Sequence, residues 1–197
     1  MMNQSTREKI EKIALRLFAM NGYEATTMNQ IAEQVGITKP AIYVYFKGKE
    51  ELYLAILEKC IIQYRQFMDQ IINEAKKLEF QDQLFYIFRQ YILFFAKNTE
   101  ISAFWNRVML FPPVPLKERI FQDLSQMELG YSSKLRAIFE QGIRAGKIRN
   151  TPLEEIDFSF RCVRAGLLMA FLLNPGFEEQ KIERVWKDYW FGISVDS

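Results

Sequence analysis

Apolar residues recur along this chain at helical intervals, and strand-type alternation is almost absent, so the pattern predicts helices throughout. Ile10, Ile13, Ala14, Leu17 and Phe18 form one stripe, which Asn21-Gly22 ends. A second helix opens at Thr27, where Gln30 completes a capping box, and it carries Met28, Ile31, Ala32 and Val35 on one face before Gly36 closes it. Thr38 is placed to cap a third short helix with Pro40 in its first turn, where a missing N–H costs nothing. Lys47-Gly48 breaks the chain again before a long helix running from about Glu50 toward Leu78.

From there the elements lengthen. Helices are expected over about 81–97 and 100–110, with the "PPVP" of 112–115 stopping the second of them. Helical spacing resumes over 116–141. Thr151-Pro152-Leu153-Glu154 reads as a further capping box with proline at the first helical position. The helix it starts runs to Asn174-Pro175-Gly176, and a last one covers Glu178 to about Phe191. The fold class that follows is all-α: three short helices at the front, residues 1–49, and a larger bundle of longer helices behind, residues 50–197.

Composition narrows what such a protein can do. The 197 residues suffice for a substantial core, and 17 phenylalanines supply bulky aromatic surface for it. The net charge of +2 implies no partner by itself, so any basic footprint must be local. Histidine is absent, which removes the commonest general base and the commonest metal ligand together. With no glycine-rich phosphate loop and no evident carboxylate pair, neither an enzyme nor a cofactor or metal site is expected. Cys60 and Cys162 stand alone in apolar settings, which points to a reducing cytoplasm. The polar "MMNQSTREKIEK" start is no signal peptide, and no apolar run is long enough to span a membrane.

The front has the character of a groove reader. Two short helices joined through Gly36 match the helix-turn-helix pattern, whose second helix enters the DNA major groove. In "GITKPAIYVYFKGKEEL", Ile42 and Phe46 are spaced to hold the short helix to its scaffold, while Lys39, Tyr43 and Tyr45 point to phosphates and bases. The competing reading makes the two tyrosines half-buried surface residues of a helical bundle.

Residues 7–57, carried by "IALRLFAMNGYEATTMNQIAEQVGITKPAIYVYFKGKEELY", resemble the DNA-binding domain of the tetracycline-repressor (TetR) family of bacterial regulators. The resemblance implies an all-helical dimer whose front three helices bind an inverted-repeat operator in double-stranded DNA. It implies that the back binds a small-molecule effector and the partner subunit. It also implies phosphate contacts from Thr27, Tyr43 and Lys49, and base or methyl contacts from Asn29, Lys39, Pro40, Ala41 and Tyr45, with Thr38 opening the reading helix. The side-chain chemistry agrees: lysine donates to guanine, asparagine pairs with adenine, and small apolar groups pack on a thymine methyl. Where the family commonly carries tryptophan or histidine, this chain has Val44 and Tyr45, so base preference does not transfer.

In the back two-thirds the resemblance is one of architecture only. The residues of 84–95 are apolar nearly all round the helix, as expected of a buried element. An apolar cavity lined from among Phe88, Tyr91, Phe95, Phe104, Trp105, Met109, Phe121, Phe160 and Met169 would suit a hydrophobic or amphipathic effector. Arg89, Arg107, Arg161 and Arg164 lie among these aromatics; each either reaches the surface or a glutamate, or one of them anchors an acidic head group. Leu168, Phe171, Leu172, Trp186 and Trp190, on the last two helices, are expected at a subunit interface. The function expected is a sequence-specific transcriptional regulator, a repressor released from its operator by such an effector. The alternative on the same fold is a DNA-bound assembly or nucleoid-associated factor with no inducer.

Overall fold

A computed structural model describes residues 5–173 and 178–195. Among the described residues there are nine α-helices: α1 (Thr6–Ala25), α2 (Met28–Val35), α3 (Lys39–Ile42), α4 (Lys49–Ala75), α5 (Phe80–Lys97), α6 (Thr99–Leu110), α7 (Lys117–Arg144), α8 (Leu153–Leu173) and α9 (Gln180–Ile193). A short 3-10 turn, Val114–Leu116, follows the prolines that end α6. The chain divides into two compact units. The first comprises Met1–Tyr64 and Asn98–Ser125, the second Arg65–Lys97 and Gln126–Ser197.

In the first unit the stripe read from the sequence is the core. Ile10, Ala14, Leu17 and Phe18 of α1 are buried with Met28, Ile31, Ala32 and Val35 of α2. The expected Thr27–Gln30 capping box forms at α2, and a second, Ser5 with Glu8, opens α1. Each such cap stabilises its helix by about 1 kcal/mol. Gly36 ends α2 at φ +81°, a left-handed conformation that costs glycine nothing, and its N–H returns to the carbonyls of Ala32 and Glu33. Thr38 precedes α3 in extended conformation but makes no side-chain cap, contrary to the sequence reading; its carbonyl instead accepts the amides of Ala41 and Ile42. The four residues of α3 are followed by tight turns through Tyr45, which return Phe46 to the core.

The second unit is built on rings. Phe160 of α8 packs edge-on against Phe88 of α5 and Phe139 of α7, and Trp186 of α9 lies 5.3 Å from Phe88. One face of α5 (Leu84, Ile87, Phe88, Ile92, Leu93, Phe95) is buried, while Tyr86, Tyr91 and Phe94 are half-buried, so the helix is less enclosed than its composition implied. Asp157 of α8 is wholly buried, accepting from Ser132 Oγ at 2.6 Å and Arg136 Nε at 3.3 Å. The capping box expected at Thr151 is absent: α8 begins at Leu153, the Pro152 carbonyl accepts the amides of Glu155 and Ile156, and the Thr151 hydroxyl donates to Glu155. The Asn174-Pro175-Gly176 stop lies outside the described residues.

Candidate nucleic-acid interface

The segment from Thr27 to Lys49 sorts its residues cleanly. Ile42 and Phe46 are 0% and 1% exposed, and each anchors the reading helix by about 1.5–3 kcal/mol of apolar burial. Around these anchors, Thr27, Asn29, Thr38, Lys39, Pro40 and Tyr43 are exposed, and Ala41, Tyr45 and Lys49 are half-buried. Val44 is more exposed still, at 81%. The α2–turn–α3 geometry therefore presents Lys39 and Pro40 on the helix, and Tyr43 and Val44 on the turn after it, to solvent, with Ile42 and Phe46 pinned to the core.

Lys49 is less free than its sequence position suggested. Its Nζ donates to the Tyr23 carbonyl at 2.8 Å and sits 4.2 Å from the centre of the Tyr23 ring. Two of the three ammonium N–H groups remain for another acceptor. Burial, with Glu50 and Glu24 nearby, raises the Tyr23 phenol above its ordinary value, so it stays neutral beside the lysine. The amide of Lys47 donates to Glu51 Oε2 at 2.6 Å, which starts α4 with acidic residues at its positive end.

The four arginines part company. Arg89 pairs with Glu179, and Arg161 with Glu128, both at 3.0 Å. Arg164 is buried at 5% exposure, donating to the Tyr131 hydroxyl at 2.7 Å, with its guanidinium 3.8 Å from the Tyr91 ring centre. Arg107 of α6 does something the sequence reading did not anticipate: Nε donates to the Ala19 carbonyl at 2.8 Å and Nη2 to that of Met20 at 2.7 Å. The sequence hints only at the need for it, since α1 carries no basic residue in its own last turn.

Of the residues expected to line an effector cavity, Phe104, Trp105, Met109 and Phe121 belong to the first unit, and Phe88, Tyr91, Phe95, Phe160 and Met169 to the second. Phe88, Phe104 and Phe160 are fully buried and Phe95 and Trp105 nearly so, whereas Met109, Phe121 and Met169 are 58%, 44% and 40% exposed. Two clefts of the second unit have volumes of about 450 and 420 Å³, and neither is lined by any of the nine. Of the expected interface residues, Leu168, Phe171 and Trp190 are half-buried and Trp186 is core; the side chain of Leu172 lies outside the described residues.

A capped pair of short helices, with a third pinned by Ile42 and Phe46 and showing Lys39 and Tyr43 outward, defines a helix-turn-helix DNA-binding protein. Residues 10–56 match the family described as "Bacterial regulatory proteins, tetR family". Those residues carry that family's DNA-binding segment, and the chain is a DNA-binding transcription regulator. It is 25% identical over 136 residues to the "Fatty acid metabolism regulator protein" of Bacillus subtilis (strain 168), covering 69% of this chain and 67% of that one. It is 26% identical over 140 residues to the transcriptional regulator QacR of Staphylococcus aureus, covering 69% and 70%. Two other relatives, 38% and 44% identical, are matched over only 24% and 26% of their own lengths. Among solved structures, the regulator FadR from Bacillus subtilis in complex with stearoyl-CoA superposes with a TM-score of 0.75 at 18% identity, covering 94% of this chain and 98% of that one. At that identity the likeness speaks for the fold.

Proposed function

We propose that this regulator is a homodimeric repressor that binds an inverted repeat through residues 1–49 and is released by an acyl-chain-bearing effector held within residues 50–197. It acts by binding alone, in the bacterial cytoplasm; among the described residues no helix is long and apolar enough to cross a membrane. The observation that carries the DNA side is the split between buried Ile42 and Phe46 and exposed Lys39, Pro40 and Tyr43 on one turn-and-helix segment. In the proposed complex Lys39 and Tyr45 meet base edges with Asn29, while Thr27, Tyr43 and Lys49 meet phosphates, and Pro40 and Ala41 approach a thymine methyl.

The effector class is supported by the names of two similar proteins, a fatty acid metabolism regulator and a regulator complexed with stearoyl-CoA. An acyl thioester combines a long apolar chain with an anionic end, which suits an aromatic-rich bundle containing a buried arginine such as Arg164. Release then requires tighter binding of the effector to the non-operator conformation.

The dimer is supported by α8. Phe158, Cys162, Ala165, Gly166, Met169, Ala170 and Leu173 share one exposed, uncharged face of that helix. A second copy covering it would also supply the dyad that an inverted repeat demands.

The test selects duplexes from a random-sequence pool with the full chain and titrates the complex with acyl-CoAs of graded length. An inverted-repeat consensus released by a subset of chain lengths is the expected result. A consensus without a dyad overturns the dimeric reading, and acyl-CoAs that bind the protein yet leave the complex intact overturn the effector reading.

A further inference from the structure

We propose that Arg107 is a positioning residue for DNA reading, one that fixes the end of α1, and with it the start of α2, to helix α6. The proposal rests on the DNA-binding reading and lies outside the segment, residues 10–56, that matches the family. It begins with an accounting of carbonyls. A helix end leaves its last carbonyls without intrahelical partners, and the partial negative charge there favours a cation. At α1 the helical path breaks at Gly22, where φ is +82°, and the helix has no basic residue in its last turn.

The cations at this end are therefore brought from elsewhere, and the cap residue Thr26 adds its own N–H to the Tyr23 carbonyl. Arg107 takes the carbonyls of Ala19 and Met20, and Lys49 takes that of Tyr23. The hydroxyl of Thr26, a wholly buried residue, takes those of Leu17 and Gly22. Thr26 is followed at once by Thr27, the cap of α2, and two residues later by Asn29, so the clamped segment leads straight into the reader. A Cβ added to Gly22 would stand 3.1 Å from Arg107 Nη1, so the guanidinium lies flush on backbone that only glycine leaves bare. Rings back the same joint: Tyr53 of α4 packs against Phe18, Tyr23 and Phe104, the last from the same helix as Arg107.

A planar guanidinium with two N–H groups on successive carbonyls fixes direction as well as distance, which a single lysine cannot do. The reader's aim is then set by where α6 stands. Arg107 does this without touching DNA, and that separates it from a phosphate contact.

The experiment compares the parent with Arg107→Ala, Arg107→Gln and Arg107→Lys in the full chain, on duplexes selected from a random pool by the parent. Binding is measured at a temperature where circular dichroism shows each variant folded, across a salt series. Hydrogen exchange is followed over residues 17–30. Arg107→Ala is expected to lose roughly tenfold in affinity on every selected duplex alike, with the parent's salt slope and faster exchange confined to the end of α1 and start of α2. Arg107→Lys should recover part of the affinity and Arg107→Gln less. Folded variants with the parent's affinity and exchange overturn the proposal, because a merely stabilising residue shows that result. A shallower salt slope also overturns it, in favour of a direct phosphate contact. If Arg107→Ala does not fold, the Lys and Gln variants carry the same comparison. Should the parent select no duplex, the DNA reading fails, and the exchange comparison still decides whether the clamp exists.

Discussion

The ammonium of Lys49, at the first residue of α4, donates to the carbonyl of Tyr23, near the last residue of α1, while resting on the same tyrosine's ring. This lysine thus has an internal duty alongside any external one. Lys49→Ala is expected to weaken binding to all operator variants alike and to reduce the salt slope by about one counterion. Affinity measured from low to high salt checks it: a weakened variant with the parent's slope would assign Lys49 to the α1 joint alone.

Lys39 and Tyr45 should behave differently. Lys39 is exposed at the start of α3, and Tyr45 is half-buried at the turn beyond it. Replacing either with alanine is expected to cost about 1–3 kcal/mol against the base it reads and little against duplexes changed elsewhere. A matrix of single-base operator variants against the two proteins reads this directly. Equal losses across the matrix would make both residues phosphate contacts.

The contrast between the two ends of the chain shows what local patterning can carry. Helix starts and stops in the first unit follow from short-range chemistry: Thr27 with Gln30, and Gly36 at positive φ, were both legible in the order of residues. So were the anchors Ile42 and Phe46 and the exposure of Lys39 and Tyr43, whereas Tyr45 is half-buried, as the competing reading had it. The role of Arg107 was not, because its partners stand more than eighty positions away and are backbone carbonyls, which leave no mark on composition. In the second unit the aromatic residues announce a core but not its partition. Trp186 and Phe88 look alike by type to Phe191, yet the first two are buried and Phe191 is 67% exposed. Thr38 and Thr151 go the other way: both stand at capping spacing, yet Thr38 makes no side-chain cap and the Thr151 hydroxyl donates to Glu155 instead.

The exposed face of α8 gives a prediction about assembly. Ala165 is exposed among Phe158, Cys162, Met169 and Leu173, so a charge there should leave the fold of the chain intact. Ala165→Glu places two like charges near a dyad and is expected to yield monomers with weakened operator binding. Sedimentation over a wide concentration range checks it. A parent that sediments as a concentration-independent monomer, or an Ala165→Glu dimer of parent strength, would remove α8 from the interface.

Tyr189 of α9 provides a test of the second unit by pH. Burial pushes its phenol up to about 12, with the Ser159 hydroxyl beside it opposing the shift. In the unfolded chain the group titrates near its ordinary value of 10.0. Below that pH both states hold the proton, and the contribution to stability is fully present. As pH rises from about 10 toward 12, the unfolded chain releases the proton while the folded chain retains it, so stability falls. Tyr189→Phe removes the titrating group together with its contacts to Ser159 and the Ile156 carbonyl, so it should be less stable than the parent at neutral pH. Between pH 9 and pH 11, however, it should lose roughly 1 kcal/mol less than the parent does. Urea unfolding at a series of pH values measures both quantities. Parallel declines in the two proteins over that interval would mean that the phenol titrates alike in both states, and that α9 does not shield it.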